Sequence, residues 1–399
     1  AVWPSASRTI RCPLPGTPTL PEQPPPFSRY SEIIARYLSA GGATTILEAS
    51  LRSWGALADF AGLVRADRDF TGDGVPEVLV VAVDPQRIES FPPPGDLLIF
   101  GCDESAYRLL FQSGYSVARG VPLILSADDI NGNLINDLVY TTQTCDDNQV
   151  CYQDVSILQW NLDLVNFASL VDQEIRAPFA QIVVSDVDDD RLSEVVVSSG
   201  TIAAIGAGPQ RTATTVWKWD GTLYAIAEAT QSPARYRIHV LYDADDAMRR
   251  ASYGEAVDLY EDVIGDTALQ SWQYPDEDSY LAAYAQFRIM LAEALRGRVE
   301  DAQARHDTFI SGFASPPPAP DGSQSTAAPF GQMPGIEFAR MADFWWADFA
   351  VNRDVGRACQ VVIGYIRANP SAIEVLNTFG FANRTYSAID VCPFGVTVP

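Results

Sequence analysis

Two spacings of apolar residues divide the chain. Between residues 59 and 230 they come in short runs bounded by turn-forming residues, the pattern of β-strands; from residue 231 onward they recur every three to four positions, as on helices. Two shorter helical stretches precede the strands. Ile33, Ile34, Tyr37 and Leu38 share one face before Gly41-Gly42, and Leu47, Leu51 and Trp54 share another before Gly55. Their expected role is to cover an edge or face of the first group of strands.

The strand region repeats itself. "RDFTGDGVPEVLVV" places Asp69, Thr71 and Asp73 at alternate positions, with Glu77 at the ninth place counted from Asp69. "DINGNLIND" repeats the pattern with Asp129, Asn131, Asn133 and Asp137, and "DVDDDRLSE" with Asp186, Asp188, Asp190 and Glu194. Each loop lies between two apolar runs, such as "PLILSA" and "LVYTT". Each unit then continues into two further strand-like segments, as in "TTVWKWDGTLYAIAE". Four short strands in a repeat of roughly sixty residues are the mark of a propeller blade.

Oxygen side chains at alternate places in a tight loop converge on one point, and a hard cation such as calcium takes about six or more oxygens. Magnesium or sodium fits less well. Positions 1, 3, 5 and 9 would supply side chains, and position 7 a backbone carbonyl, from Val75, Ile135 and Leu192. Gly72 and Gly74 suit the positive φ that such a turn demands. The plainer reading is a polar turn whose Asp side chains cap their own backbone. Leu134 and Arg191 stand where the first loop has Gly74, and a side chain at positive φ costs about 1–2 kcal/mol. Against that, the third loop gathers four carboxylates. Two like charges about 4 Å apart repel by about 4 kcal/mol at an effective dielectric near 20.

These loops, set between the first two strands of each unit, resemble the FG-GAP or VCBS repeat of integrin-type β-propellers. The resemblance implies a calcium ion in each loop, up to three in all, holding the strand hairpin together. It covers roughly residues 60 to 230 and carries more about fold than about biochemical role.

The helical region has its own repeat. "DADDAMRRASYGEAVDLYEDVI" reads as two helices with a turn near Tyr253-Gly254 and with Ala256, Leu259 and Tyr260 inward. "YLAAYAQFRIMLAEALRGRVEDAQARHDTFI" repeats the plan. Its Ala285, Leu291, Gly297 and Ala302 make the pair similar to a tetratricopeptide repeat. A third pair holds Trp345 and Trp346, which cannot both face inward from one helix.

The resulting organisation is multidomain, β followed by α, with an open and incomplete propeller of three four-stranded blades. Residues 1–27 form a Pro-rich extended tail, 28–58 an N-terminal helical cap, and 59–230 the three blades. Residues 231–313 are the tetratricopeptide-like domain, 314–334 a Pro/Gly/Ser linker, and 335–399 a C-terminal helical pair with a Cys-tethered tail. Three blades are fewer than a closed propeller needs, so their outer faces must be covered.

Composition narrows the function. A formal charge of −24 repels phosphate backbones and anionic membrane surfaces, which sets aside nucleic acid as a partner. No apolar run approaches the roughly 20 residues of a membrane span. Lys218 is the sole lysine beside 26 arginines (27 less one), which reads as composition bias. Ala1 in first position, taken as the start of a mature chain, points to export. So do six cysteines, which allow fifteen pairings. Cys145 and Cys151 flank a hairpin turn, Cys359 and Cys392 join a late helix to the tail, and Cys12 is left for Cys102. Zinc is the alternative use of these cysteines, but no CxxC spacing occurs and there are two His residues.

Nothing in the motifs marks an enzyme. His239 and His306 have no nucleophile motif beside them, and neither a glycine-rich phosphate loop nor HExxH occurs. The expectation is an exported or envelope-associated, non-enzymatic scaffold that binds a protein partner in a cell-surface assembly. The alternative is a calcium-dependent carbohydrate-binding module using Trp160 or Trp219 as stacking platforms; a glycoside hydrolase stands behind both, since its paired acids leave no sequence trace.

Overall fold

In a computed structural model, residues 12–59, 61–103, 106–147, 150–273, 276–314 and 333–395 are described. They divide into two units, one of Ala1–Ile202 with Thr212–Gln231, the other of Ala203–Arg211 with Ser232–Pro399. The expected linker at 314–334 and the start of the expected tail lie largely outside the described residues.

The first unit opens with helices α1 (Tyr30–Ser39) and α2 (Thr44–Ser53). Three separate antiparallel sheets follow. The first contains β1 (Leu63–Arg68), β2 (Glu77–Val83), β3 (Gly95–Asp103) and β4 (Ala106–Gln112), paired in chain order. The second contains β5 (Leu123–Ser126), β6 (Asp137–Cys145), β7 (Cys151–Asn161), β8 (Asn166–Ser169) and β9 (Ile175–Pro178). Here the expectation of four strands is corrected. β9 returns to pair with the first half of β7, because β8 occupies only its second half and leaves Tyr152–Val155 free to bond a further strand. The third sheet contains β10 (Gln181–Ser185), β11 (Glu194–Ser198), β12 (Ala213–Trp219) and β13 (Tyr224–Gln231), again in chain order.

The apolar runs of β2 and β3 are continuous because both faces are buried. Val78, Val80, Leu98 and Phe100 point to one side, where they meet Ile34, Tyr37, Leu47 and Leu51 of the two helices. Leu79, Val81, Leu97 and Ile99 point to the other and meet Leu138 and Tyr140 of the second sheet. Val139, Val155 and Ile157, on the second sheet's far face, pack on Val195, Val197 and Trp217 of the third. Disulfides Cys12–Cys102 and Cys145–Cys151 join the early chain to β3 and close the β6–β7 hairpin.

The second unit contains α3 (Arg237–Arg249), α4 (Tyr253–Gly265), α5 (Glu277–Leu295), α6 (Val299–Ala314), α7 (Ile336–Asn352), α8 (Val355–Ala368) and the short α9 (Ala388–Val391). The α3–α4 turn falls at residues 250–252, with Ala251 at φ 60°, so Tyr253 and Gly254 open a helix where a turn was expected. Ala256, Tyr260, Ala285, Leu291 and Ala302 are buried in one core, and Leu259 packs against it. Trp345 is fully buried, whereas Trp346 is half-buried and stacks on His306 at 5.4 Å. Cys359–Cys392 bonds α8 to the chain after α9. No helix among the described residues is long and apolar enough to cross a membrane.

Candidate metal centres

The three acidic loops connect β1 to β2, β5 to β6 and β10 to β11. Their backbones repeat one arrangement. The first-position carboxylate bends back over its own loop: Asp69 accepts from the Gly72 and Gly74 amides at 2.7 and 2.8 Å. Asp129 accepts from Gly132, Asn133 and Leu134 at 2.8, 3.1 and 2.7 Å. Asp186 accepts from Asp190 and Arg191 at 3.2 and 2.9 Å. The seventh-position amides of Val75, Ile135 and Leu192 donate to the fifth-position side chains of Asp73, Asn133 and Asp190 at 2.8, 3.0 and 2.8 Å. Such Asx-type bonds explain why these positions need short oxygen side chains.

The fourth and sixth positions are left-handed in every loop. Gly72 and Gly74 have φ of 74° and 89°, Gly132 and Leu134 of 76° and 69°, and Asp189 and Arg191 of 62° and 73°. The turn is therefore kept where glycine is replaced. Leu134, 94% exposed, adopts it without a packing contact to reward the strain.

The ninth-position carboxylate closes each loop from the first residue of the next strand. Glu77, Asp137 and Glu194 are all buried. Asp137 accepts from the Ile130 amide at 2.9 Å, and Glu194 from Val187 at 2.8 Å. Glu77 also accepts from the Thr71 hydroxyl at 2.9 Å. Burial pushes the Glu77 carboxyl up to about 7; the Phe70 and Thr71 bonds pull it down, and Asp69 and Asp73 push it further up. Burial likewise raises Asp137 to about 6, opposed by the Ile130 amide.

Two of the loops bring three carboxylates together. Oxygens of Asp69, Asp73 and Glu77 lie within 4.8 Å of one another, as do those of Asp186, Asp188 and Glu194. Asp190, expected among the ligands, is not in that group. The second loop substitutes Asn131 and Asn133 for acids, and here amides fill the space: Gln159 Nε2 donates to Asp137 Oδ1 at 2.7 Å and to Asn133 Oδ1 at 3.1 Å. In the third loop the Lys218 ammonium bonds Asp188 Oδ2 and lies 4.0 Å from Glu194 Oε1. That bond holds the Asp188 carboxyl below its usual range. Gln159 and Lys218 were missed from sequence. They lie on the third strand of each sheet and reach the loops only through strand register.

The candidates for other chemistry fare differently. Trp160 is 8% exposed and packs edge-on with Phe167, while Trp219 is half-buried against Tyr224. Burial leaves Trp160 no open ring face of the kind a sugar platform needs. His239 is buried at the start of α3, edge-on to Tyr236, and burial lowers its pKa. A further buried polar cluster was not legible from sequence: Asp245 accepts from the hydroxyls of Tyr260, Tyr284 and Tyr386 and pairs with Arg288 at 3.3 Å. Arg288 also donates to the Val391 carbonyl at 2.6 Å, so the cluster ties α3, α4 and α5 to the C-terminal segment. The chain matches no protein-family model, no curated protein and no solved structure.

Proposed function

We propose that this chain is an exported, calcium-stabilised binding or scaffold protein. Its three sheets are read as FG-GAP/VCBS-type blades and its helix pairs as a tetratricopeptide-like surface for a protein partner in a cell-surface assembly. One observation carries the proposal. The same nine-residue loop conformation occurs three times at the same place, before the second strand of each sheet, and in the first copy three carboxylate oxygens converge within 4.8 Å. Three carboxylates held that close need a counter-charge or a proton, and an oxygen-rich loop of this size suits a hard cation. Three disulfides accord with an oxidising compartment. Helical pairs stacked on one core commonly offer an extended face to peptides or subunits.

Thermal melts with calcium and with chelator test the metal half of this reading. At free calcium a hundredfold above the dissociation constant, each occupied site adds about 2.7 kcal/mol. Asp73→Ala is expected to shrink that gain and to change little in chelator, since Asp73 caps one amide only. Asp129→Ala is expected to destabilise in both conditions, because Asp129 caps three. Superimposable curves for the unaltered protein would overturn the metal assignment. Recovery of a defined surface complex with the native protein supports the scaffold half; chelator-sensitive retention on glycan columns favours the carbohydrate reading instead.

A further inference from the structure

On the strand next to each ninth-position carboxylate stands a different residue. Asp137 pairs directly with Gln159. One step beyond the Val78–Phe100 and Val195–Trp217 pairs, Glu77 faces Gly101 and Glu194 faces Lys218. A Cβ on Gly101 would stand 3.5 Å from Glu77 Oε1 but 2.5 Å from Leu110 Cδ1, so no side chain reaches the first loop from this place. In the second loop the Gln159 amide fills it. In the third, Lys218 brings the chain's sole lysine ammonium onto Asp188 and beside Glu194. The third loop position changes in step: Thr71, Asn131, Asp188. An extra carboxylate therefore arrives in the loop that also acquires an ammonium.

We infer that the residue facing the ninth carboxylate decides how each loop is neutralised, and that Lys218 serves the third loop as a tethered cation in place of a metal ion. The first loop has no such group at this place and depends on a divalent cation; the second is held by Asn and Gln amides. Lys218 engages Asp188 and Glu194, two of the three groups whose oxygens converge there. A calcium ion entering that loop must part the ammonium from Asp188 and then sit beside a like charge. The inference rests on the calcium reading for the contrast with the first loop, whereas the role of Lys218 in the third stands by itself.

The test is calorimetric titration of calcium into the chelator-treated full chain, comparing the unaltered protein with Lys218→Gln, Lys218→Met and Lys218→Arg. Lys218→Gln, which copies the second loop, and Lys218→Met are expected to gain one calcium equivalent, at the third loop, or to bind calcium there about fivefold more tightly where the unaltered loop takes it up weakly, the scale of one exposed ion pair. Lys218→Arg keeps the charge and is expected to titrate as the unaltered protein does. Unchanged stoichiometry and affinity in both neutral variants overturn the inference. If Lys218→Gln unfolds in chelator, refolding on calcium addition counts for it and failure to refold counts against it. The two readings separate cleanly. Calcium binding by the unaltered protein with no gain in the variants removes the tethered cation and leaves the first site. Gain in the variants with none in the unaltered protein removes the first site and leaves the tethered cation.

Discussion

The backbone amide of Phe70 donates to Glu77 Oε2 at 2.6 Å, from the second place of the loop to the ninth. It fixes the buried carboxyl as a latch between the loop and β2, and it does so against the cost of burying a charge. Because burial raises this group to about 7 in the folded protein, the folded state holds a proton that the unfolded chain, at the ordinary value of 4.5, has released. Stability from this source is fully present below pH 4.5 and is lost as pH rises through 7. The expected loss in chelator is about 3 kcal/mol, since each tenfold change in proton affinity is worth about 1.4 kcal/mol. Urea midpoints at intervals across that range measure it. Glu77→Gln should flatten the slope, and calcium, by stabilising the ionised form, should do the same for the unaltered protein. A midpoint that climbs with pH in chelator contradicts this account.

Leu134 offers a test of the loop conformation apart from any metal. Its φ of 69° is matched by the glycine at the same place in the first loop. Leu134→Gly should therefore be neutral or stabilise by up to about 1 kcal/mol, because the relief of strain exceeds the extra freedom of glycine in the unfolded chain. Gly74→Leu should destabilise by about 1–2 kcal/mol. Paired denaturation curves suffice; a costly Leu134→Gly would mean that the side chain has a role its exposure conceals.

The helices at the start of the first unit cover an apolar sheet face. Leu51, on α2, is fully buried in the cluster that also holds Val78 and Val80 of β2. Leu51→Ala is expected to cost about 2–5 kcal/mol and to lower the melting temperature of the β unit. Removal of residues 28–58 should leave a β unit that aggregates, since Val80, Leu98 and Phe100 then face water. A soluble, normally melting deletion variant argues that the cap is dispensable.

In the helical unit the decisive pair is Arg288 with Asp245, both almost fully buried. Arg288→Met leaves the carboxylate with its tyrosine hydroxyls but no cation, and the expected cost is about 3–5 kcal/mol. It also frees the Val391 carbonyl, so protease sensitivity of the C-terminal segment should rise. A loss under about 1 kcal/mol would show that the tyrosines alone satisfy Asp245.

Local chemistry determined a great deal of this protein by itself. Alternating oxygen side chains can cap only a tight loop, so the three Asp-x-Asp/Asn-x segments were legible without neighbours, as were the strands that flank them. The switch to helical spacing after residue 231 and the cap helices, with Ile34, Leu47 and Leu51 inward, were equally local properties. What depended on residues far apart in the chain was decided only by tertiary structure. β9 found its place because β8 is short, which no pattern in Ile175–Pro178 announces. Lys218, which composition alone made incidental, became the counter-ion of a loop 24 to 30 residues earlier, since pairing of β11 with β12 carries it there. Strand register and burial set the distance between charges, and neither is a property of any short stretch of sequence.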